Sequence, residues 1–155
     1  MGAAAAPLRN VIVFALGSAR YAVELRWVRE VLTLGHVTPV PRSPPAILGV
    51  VNVRGAIVPV LDLEALLGGR APEAPVAAAA GESAILLEVE ETSAALRVTS
   101  VVEVASLRPA DPAVPDSLLD STGRAVPLVA PPELVARARQ ATQGAAGALL
   151  AELGS

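Results

Sequence analysis

Short apolar runs separated by turn-forming residues cover most of the chain, and their length and alternation are those of β-strands. Residues 11–16 form the first run, and residues 21–25 form a second run in which apolar and polar side chains alternate. Gly17 and Ser18 lie between the two runs and favour a turn. We therefore predict a β-hairpin around residue 17.

A second hairpin is predicted further along the chain. Residues 47–53 and 56–61 are nearly continuous apolar runs, and the two residues at 54–55 join them, which favours antiparallel pairing. Pro59 lacks the amide hydrogen that a β-ladder needs, so we expect it at a sheet edge or a bulge. Asp62 then offers a good N-cap for a short helix.

The remaining pattern is less regular. Residues 84–89 and 94–104 predict another strand pair, and residues 125–129 predict a last short strand. Residues 106–123 contain three prolines and are poor material for regular structure. Residues 132–153 predict a C-terminal helix that two glycines weaken.

The order of these runs repeats along the chain, which indicates an internal duplication. Sliding the chain along itself places Ala22 on Ala95, Val28 on Val101, Glu30 on Glu103 and Val31 on Val104, and a slightly smaller offset places Gly55 on Gly123, Val58 on Val126, Pro59 on Pro127 and Leu66 on Leu134. The second copy is shorter at the place where the first has residues 47–53, so one of its strands looks degraded.

The duplication predicts a mainly β fold, with two small β units packed together and a few short helices. We expect a single domain over residues 1–155, with a first unit at 11–68 and a shortened second unit at 84–130. Residues 69–81 are rich in Ala, Pro and Gly and predict a linker between the units. The helix at 132–153 would follow the second unit.

The composition restricts the chemistry of the chain. It has no cysteine and one histidine, His36, so we expect no disulfide, no metal site and no cofactor. No catalytic triad centres on His36 and no glycine-rich phosphate loop occurs, which argues against an enzyme. A β-barrel that binds single-stranded nucleic acid is a remote alternative, because the net charge is -3 and aromatic residues make up 2%.

The first residues have neither the basic start of a secretion signal nor an apolar stretch long enough to span a membrane. We therefore expect a soluble cytoplasmic protein that does not insert into a membrane.

One series of motifs is specific to a family. It comprises Phe14-Ala15-Leu16-Gly17, Val28-Arg29-Glu30-Val31, Val40-Pro41-Arg42-Ser43-Pro44 and Gly49-Val50-Val51-Asn52-Val53-Arg54-Gly55, with Ile57, Pro59 and Asp62 after it. The order and spacing of these motifs closely resemble the CheW family of bacterial chemotaxis coupling proteins. The resemblance weakens over residues 84–138, where Ala95-Leu96-Arg97-Val98-Thr99 replaces the family's Gly-Leu-x-Val-Asp segment.

The resemblance implies a pair of intertwined, five-stranded SH3-like β-barrels and a noncatalytic adaptor. Members of the family link the cytoplasmic tips of chemoreceptors to the regulatory domain of the histidine kinase CheA. The receptor helix docks between the barrels, and kinase domains meet the barrel ends. Because the second unit looks shortened, the alternative is a divergent CheW-like accessory protein that binds receptors but has lost kinase or array contacts.

By the same resemblance, four residues fall at or beside positions used for coupling: Arg54, Glu30, Val28 and Asn52. Arg54 is expected at a hairpin tip, where a guanidinium can make two directed hydrogen bonds to a partner. Glu30 is either a partner contact or a solvated strand residue, and Val28 is either an exposed apolar contact or part of the core. Asn52 could simply hydrogen-bond the turn that follows it.

Overall fold

The computed structural model describes residues 7–41, 44–68, 81–111 and 113–154 of the chain. This part holds ten β-strands, two α-helices and a 3-10 turn at Leu25–Trp27. The elements in chain order are β1 Arg9–Leu16, β2 Ala19–Glu24, β3 Val28–Thr33, β4 Ile47–Val53, β5 Ala56–Leu61, α1 Leu63–Gly68, β6 Ser83–Val89, β7 Thr92–Val98, β8 Ser100–Asp111, β9 Val114–Leu119, β10 Ala125–Pro127 and α2 Pro131–Gly154. The predicted mainly β fold with few helices is confirmed.

The strands form two five-stranded sheets whose ends are bridged. The first sheet has the order β10-β9-β8-β1-β2, and Ala22 on β2 bridges Leu128, just after β10. The second sheet has the order β3-β6-β7-β5-β4, and Thr38, which follows β3, exchanges two main-chain hydrogen bonds with Val50 on β4. We call the first sheet with its bridge barrel 1 and the second sheet with its bridge barrel 2.

The barrels do not follow the two halves of the chain. Residues 11–68, which we expected to form one β unit, contribute β1 and β2 to barrel 1 and β3, β4 and β5 to barrel 2. Residues 84–130 contribute β6 and β7 to barrel 2 and β8, β9 and β10 to barrel 1. The two halves therefore exchange their first hairpins, because the hairpins pair with distant strands rather than with their neighbours in sequence. Of the predicted linker 69–81, only Gly81 lies inside the described residues.

The second half is not missing a strand, and the prediction of a shortened second unit is wrong in this respect. β8 extends to Asp111, and β9 pairs with it antiparallel. Pro109 lies where β8 has already passed its last pair with β1, at Leu107, and beside a register irregularity in the β8–β9 ladder. Proline has no amide hydrogen, but beyond the end of one ladder and beside an irregularity in the other no regular ladder hydrogen bond is lost. Pro109 is therefore compatible with a strand at this position.

Two other predictions differ in detail. The predicted strand 94–104 is two strands, which separate at Thr99, where the amide of Thr99 donates to the carbonyl of Ala15 at 2.8 Å. Pro59 is not on an edge strand, since β5 lies between β4 and β7. Its pairing with β7 starts only at Val60, so Pro59 lies in the part of β5 that has no partner on that side.

Three apolar clusters of described residues form the core: the interior of barrel 1, the interior of barrel 2 and the seam between the barrels. β1 shows why the chain is so apolar. Val11 and Val13 point into barrel 1, whereas Ile12 and Phe14 point into the seam, and all four are buried. A strand that is covered on both faces needs apolar residues at every position. The seam is the largest of the three clusters and holds the barrels together.

The two helices close the seam. Asp62 directly precedes α1, and its main-chain carbonyl oxygen accepts the amide hydrogen of Leu66 at 3.1 Å, so it occupies the predicted N-cap position. Leu134 and Ala138 of α2 are buried in the seam, and Arg137 donates to the carbonyl oxygen of Leu66 at 2.8 Å, which holds the end of α1 against α2. In the described part of the chain, neither helix combines the length and the hydropathy needed to cross a membrane.

Candidate partner-binding site

The turn between β4 and β5 presents Arg54 in a left-handed conformation. Its φ is 49°, and that of Gly55 is 89°, so both central residues of the turn have positive φ. This is the geometry of a type I′ hairpin turn, which matches the twist of the strands. The side-chain oxygen of Asn52 accepts the amide hydrogen of Gly55 at 2.8 Å. Asn52 thus stabilises the turn from which Arg54 projects, as its sequence position allows.

Glu30 on β3 holds the guanidinium of Arg54. Both carboxylate oxygens of Glu30 accept hydrogen bonds from Arg54, with 3.0 Å between Nη1 and Oε1. Hydrogen bonds from Arg54 lower the pKa of the Glu30 carboxyl, and the same contact raises the pKa of Arg54. The side chain of Arg54 nevertheless remains 65% exposed. A charged group is therefore held in one direction at the surface, with several donors free to meet a partner.

Closure of barrel 2 is what brings Glu30 to Arg54. β3 and β4 are the two ends of the sheet, so they become neighbours only through the bridge between Thr38 and Val50. Gly49 makes this bridge possible, because a Cβ at this position would lie 2.5 Å from the carbonyl oxygen of Thr38. Gly49, which was not among the predicted site residues, is therefore needed for the geometry of the site.

The apolar surroundings of the pair are only partly as expected. Val28 is half-buried and packs against the seam, which favours the core alternative for this residue. Val31 on the same strand is 45% exposed. Ile57, directly across the hairpin from Asn52, is 66% exposed and was not among the predicted site residues. Its outward direction follows from the alternation of β5, in which Val58 is buried in barrel 2.

Barrel 1 has a corresponding turn with different chemistry. Asp120 accepts the amide hydrogens of Thr122 and Arg124, each at 2.9 Å, and the hydroxyl of Thr122. The hydrogen bond from the Thr122 side chain is the main reason that the pKa of Asp120 is lowered. Glu103, the counterpart of Glu30, accepts a hydrogen bond from the hydroxyl of Ser121 at 2.6 Å. Asp120 also lies 3.6 Å from the guanidinium of Arg20 on β2, whose side chain is 30% exposed, whereas the side chain of Arg54 is 65% exposed.

Beyond these two turns, the described residues offer little catalytic chemistry. A cleft of about 410 Å³ lies between β2 and the start of α2. Within it, Glu24 already pairs with both Arg9 and Arg26, and Glu133 pairs with Arg137. No group of three or more His, Asp or Glu residues in the described part of the chain could hold a metal ion. Among the described residues, the Arg54 turn is the candidate site, because its exposed guanidinium is held in place by Glu30.

Comparisons with known proteins identify the family. The model of the CheW-like domain matches residues 10–130, from β1 to the start of α2. The chain belongs to the CheW family. The chemotaxis protein CheW of Rhizobium meliloti (strain 1021) is 40% identical to it over 68 residues, which are 44% of each protein. Protein FrzA of Myxococcus xanthus is 43% identical over 63 residues, 41% of this chain and 39% of FrzA.

The fold of the chain is also that of a solved CheW. The scaffolding protein TtCheW from Thermoanaerobacter tengcongensis superimposes with a TM-score of 0.63 and 24% sequence identity, covering 79% of this chain and 89% of TtCheW. The structural superposition and the family match thus establish the CheW fold over most of the chain. The sequence alignments with the curated relatives are shorter and span less than half of the length of those proteins.

Proposed function

We propose that this CheW-family chain is a noncatalytic adaptor that couples chemoreceptors to a CheA-type histidine kinase in chemotaxis or motility signalling. Its partners would be the cytoplasmic tip of a receptor and the regulatory domain of the kinase, and it would act in the cytoplasm at receptor clusters. Membership of the CheW family and the names of its relatives support this function. No metal, cofactor or nucleic acid takes part in it.

The observation that carries the proposal is the Arg54 guanidinium, which is exposed yet held in place. The type I′ turn and Asn52 fix the backbone, and Glu30 fixes the side chain. Such preorganisation lowers the entropy that a side chain loses on binding. We assign Arg54 to direct contact with a carboxylate or carbonyl of a partner. Glu30 and Asn52 then position Arg54, and Val28 supports β3 from the seam.

Replacing Arg54 tests this assignment. Arg54→Glu reverses the charge that meets the partner, and we expect binding to weaken by about tenfold or more, because hydrogen bonds to charged groups are among the stronger ones. Binding is measured in pull-downs with receptor fragment and kinase, separately and together. Arg26→Glu is the matched control, because the side chain of Arg26 is equally exposed, at 65%, and also pairs with a glutamate. Equal binding by both variants would remove Arg54 from the interface.

A charge swap separates the two roles of the pair. In the double variant Glu30→Arg with Arg54→Glu, the ion pair can form again in reverse. If the pair were only structural, this variant would recover both the unfolding temperature and partner binding. If Arg54 contacts a partner directly, we expect the unfolding temperature to recover while binding stays weak. Circular dichroism melts and the same pull-downs measure the two quantities.

The alternative of an accessory protein without kinase contacts has lost its structural basis. It rested on a missing strand in the second half of the chain, and β9 is present. Binding to receptor alone, with no kinase activation in a reconstituted complex, would be the result that favours this alternative after all.

A further inference from the structure

The two halves of the chain are structural repeats. We call β1–β5 with α1 repeat 1 and β6–β10 with α2 repeat 2. In each barrel, the strands occupy corresponding places: β1 and β2 correspond to β6 and β7, β3 to β8, β4 to β9, and β5 to β10. The turns correspond too, because Asn52 and Asp120 each accept main-chain amides and Gly55 and Gly123 have φ of 89° and 86°. The duplication indicated by the sequence is thus present in the fold.

Neither repeat contains a complete barrel. Barrel 1 combines the first hairpin of repeat 1 with β8, β9 and β10 of repeat 2, and barrel 2 combines the first hairpin of repeat 2 with β3, β4 and β5 of repeat 1. The pairings β1–β8, β3–β6 and β5–β7 all join one repeat to the other. The seam joins them as well, since Ile12 and Phe14 lie in one cluster with Ile85 and Leu87. The contact between the repeats is therefore the core of the protein.

The repeats carry opposite net charge. Residues 1–68 contain six arginines and four acidic residues, whereas residues 81–155 contain five arginines and ten acidic residues. Among the described residues, two ion pairs cross between the repeats, Arg20–Asp120 at 3.6 Å and Arg29–Glu88 at 2.6 Å. In both pairs, repeat 1 supplies the arginine and repeat 2 supplies the carboxylate.

The four charged residues of these ion pairs correspond to uncharged residues in the other repeat. In the alignment that places Ala22 on Ala95, Arg20 corresponds to Ser93, Arg29 to Val102 and Glu88 to Ala15. In the alignment that places Gly55 on Gly123, Asp120 corresponds to Asn52. If two copies of repeat 1 paired in the same geometry, both arginines would face neutral residues. If two copies of repeat 2 paired, the fully buried side chain of Asp120 would lose its cation.

From this arrangement we propose that the chain is a fused heterodimer, in which repeat 1 and repeat 2 recognise each other by exchanging hairpins and by the two arginine–carboxylate pairs. Each repeat binds the other repeat. The arginines of repeat 1 favour pairing with repeat 2 over pairing with a second copy of repeat 1. The covalent connection between the repeats is then not required to hold the folded protein together.

Cutting the connection in the folded protein tests the first part of the proposal. A protease recognition sequence is placed between residues 72 and 76 of the full chain, and the purified protein is cleaved under native conditions. We expect both fragments to elute together at the size of the uncut chain, with an unchanged circular dichroism spectrum. The same protein before cleavage is the control. Separation or unfolding of the fragments at micromolar concentration would overturn the proposal.

The selectivity is tested in the cleaved protein by reversing charges. Arg29→Glu faces Glu88 with a like charge, and we expect the dissociation constant of the fragments to rise about fivefold. Adding Glu88→Arg restores the pair in reverse and should restore the dissociation constant. Arg26→Glu, which alters an ion pair within repeat 1, should leave it unchanged. A loss that the double variant does not restore, or an equal loss in the control, would contradict a selective role for this pair.

A competition experiment tests whether repeat 1 selects repeat 2. The cleaved protein is unfolded in urea and refolded with an excess of its tagged repeat 1 fragment. We expect the tag to capture repeat 2 and no untagged repeat 1. Recovery of paired repeat 1 fragments would show that the charges do not select the partner.

Discussion

Gly49 lies where β4 passes closest to the segment that follows β3. A Cβ there would be 2.5 Å from a backbone carbonyl oxygen, and its φ of 154° also disfavours a side chain. We expect Gly49→Ala to destabilise the protein by about 2–3 kcal/mol, within the usual range for overpacking. Gly35→Ala is the control, because a Cβ at Gly35 would meet nothing within 4 Å. Urea unfolding measures both, and equal midpoints would show that barrel 2 does not depend on this close approach.

The contribution of Asp62 to folding stability changes with pH in the opposite direction to the contributions of Glu30 and Asp120. Burial is the main reason that its pKa is raised above the ordinary value of 3.8, although Arg97 counteracts this. The folded state therefore favours protonated Asp62, and its ionisation costs stability as the pH rises through the raised pKa. The pKa values of Glu30 and Asp120 are lowered in the folded state, so their ionised carboxylates stabilise the fold when the pH is above their pKa values in the unfolded chain. This stabilisation is lost as the pH falls through their pKa values in the folded state.

Asp62→Asn isolates this effect, because Asn caps helices as well as Asp does and carries no charge. We expect the stability of the wild type relative to this variant to decrease as the pH rises from about 4 to 8. Urea unfolding at several pH values measures the difference, in which the contributions of Glu30 and Asp120 cancel. A difference that increases with pH would mean that the attraction of Arg97 outweighs burial.

Among the elements, α2 depends most on contacts outside itself. Leu134 in its first turn is 1% exposed and lies in the seam. We expect Leu134→Ala to cost about 2–5 kcal/mol, the usual range for a cavity left by leucine. Leu67→Ala removes the same atoms from a side chain that is 46% exposed and should cost less than about 1 kcal/mol. Similar unfolding midpoints for the two variants would show that α2 does not close the seam.

The elements also show which local patterns were sufficient. The β4–β5 hairpin, the N-cap Asp62 and the C-terminal helix could be predicted, because turn chemistry, capping and apolar periodicity act between residues close in sequence. β9 could not, because prolines locally disfavour a strand. This segment forms a strand because it pairs with β8, beyond the end of the β1–β8 ladder. Tertiary pairing thus outweighed local preference in this stretch.

At the scale of the whole molecule, the seam explains the composition. A chain with 53% hydrophobic residues and 2% aromatic residues cannot rely on a few large side chains. It instead buries many Ile, Leu, Val and Ala residues in two barrels and in the layer between them. Since strands such as β1 serve two clusters at once, damage to the seam should weaken both barrels together. The fold therefore behaves as one unit despite its duplication.

The sequence by itself determined the mainly β class, the duplication, the turn at Arg54 and the role of Asn52 in it, because these depend on neighbouring residues and on patterns that repeat. Only the tertiary structure decided that the repeats exchange hairpins, that Glu30 holds Arg54 and that Val28 packs in the seam. These contacts join residues far apart in the chain. Their formation depends on which strands pair, and an apolar pattern shared by both repeats does not distinguish one pairing from the other.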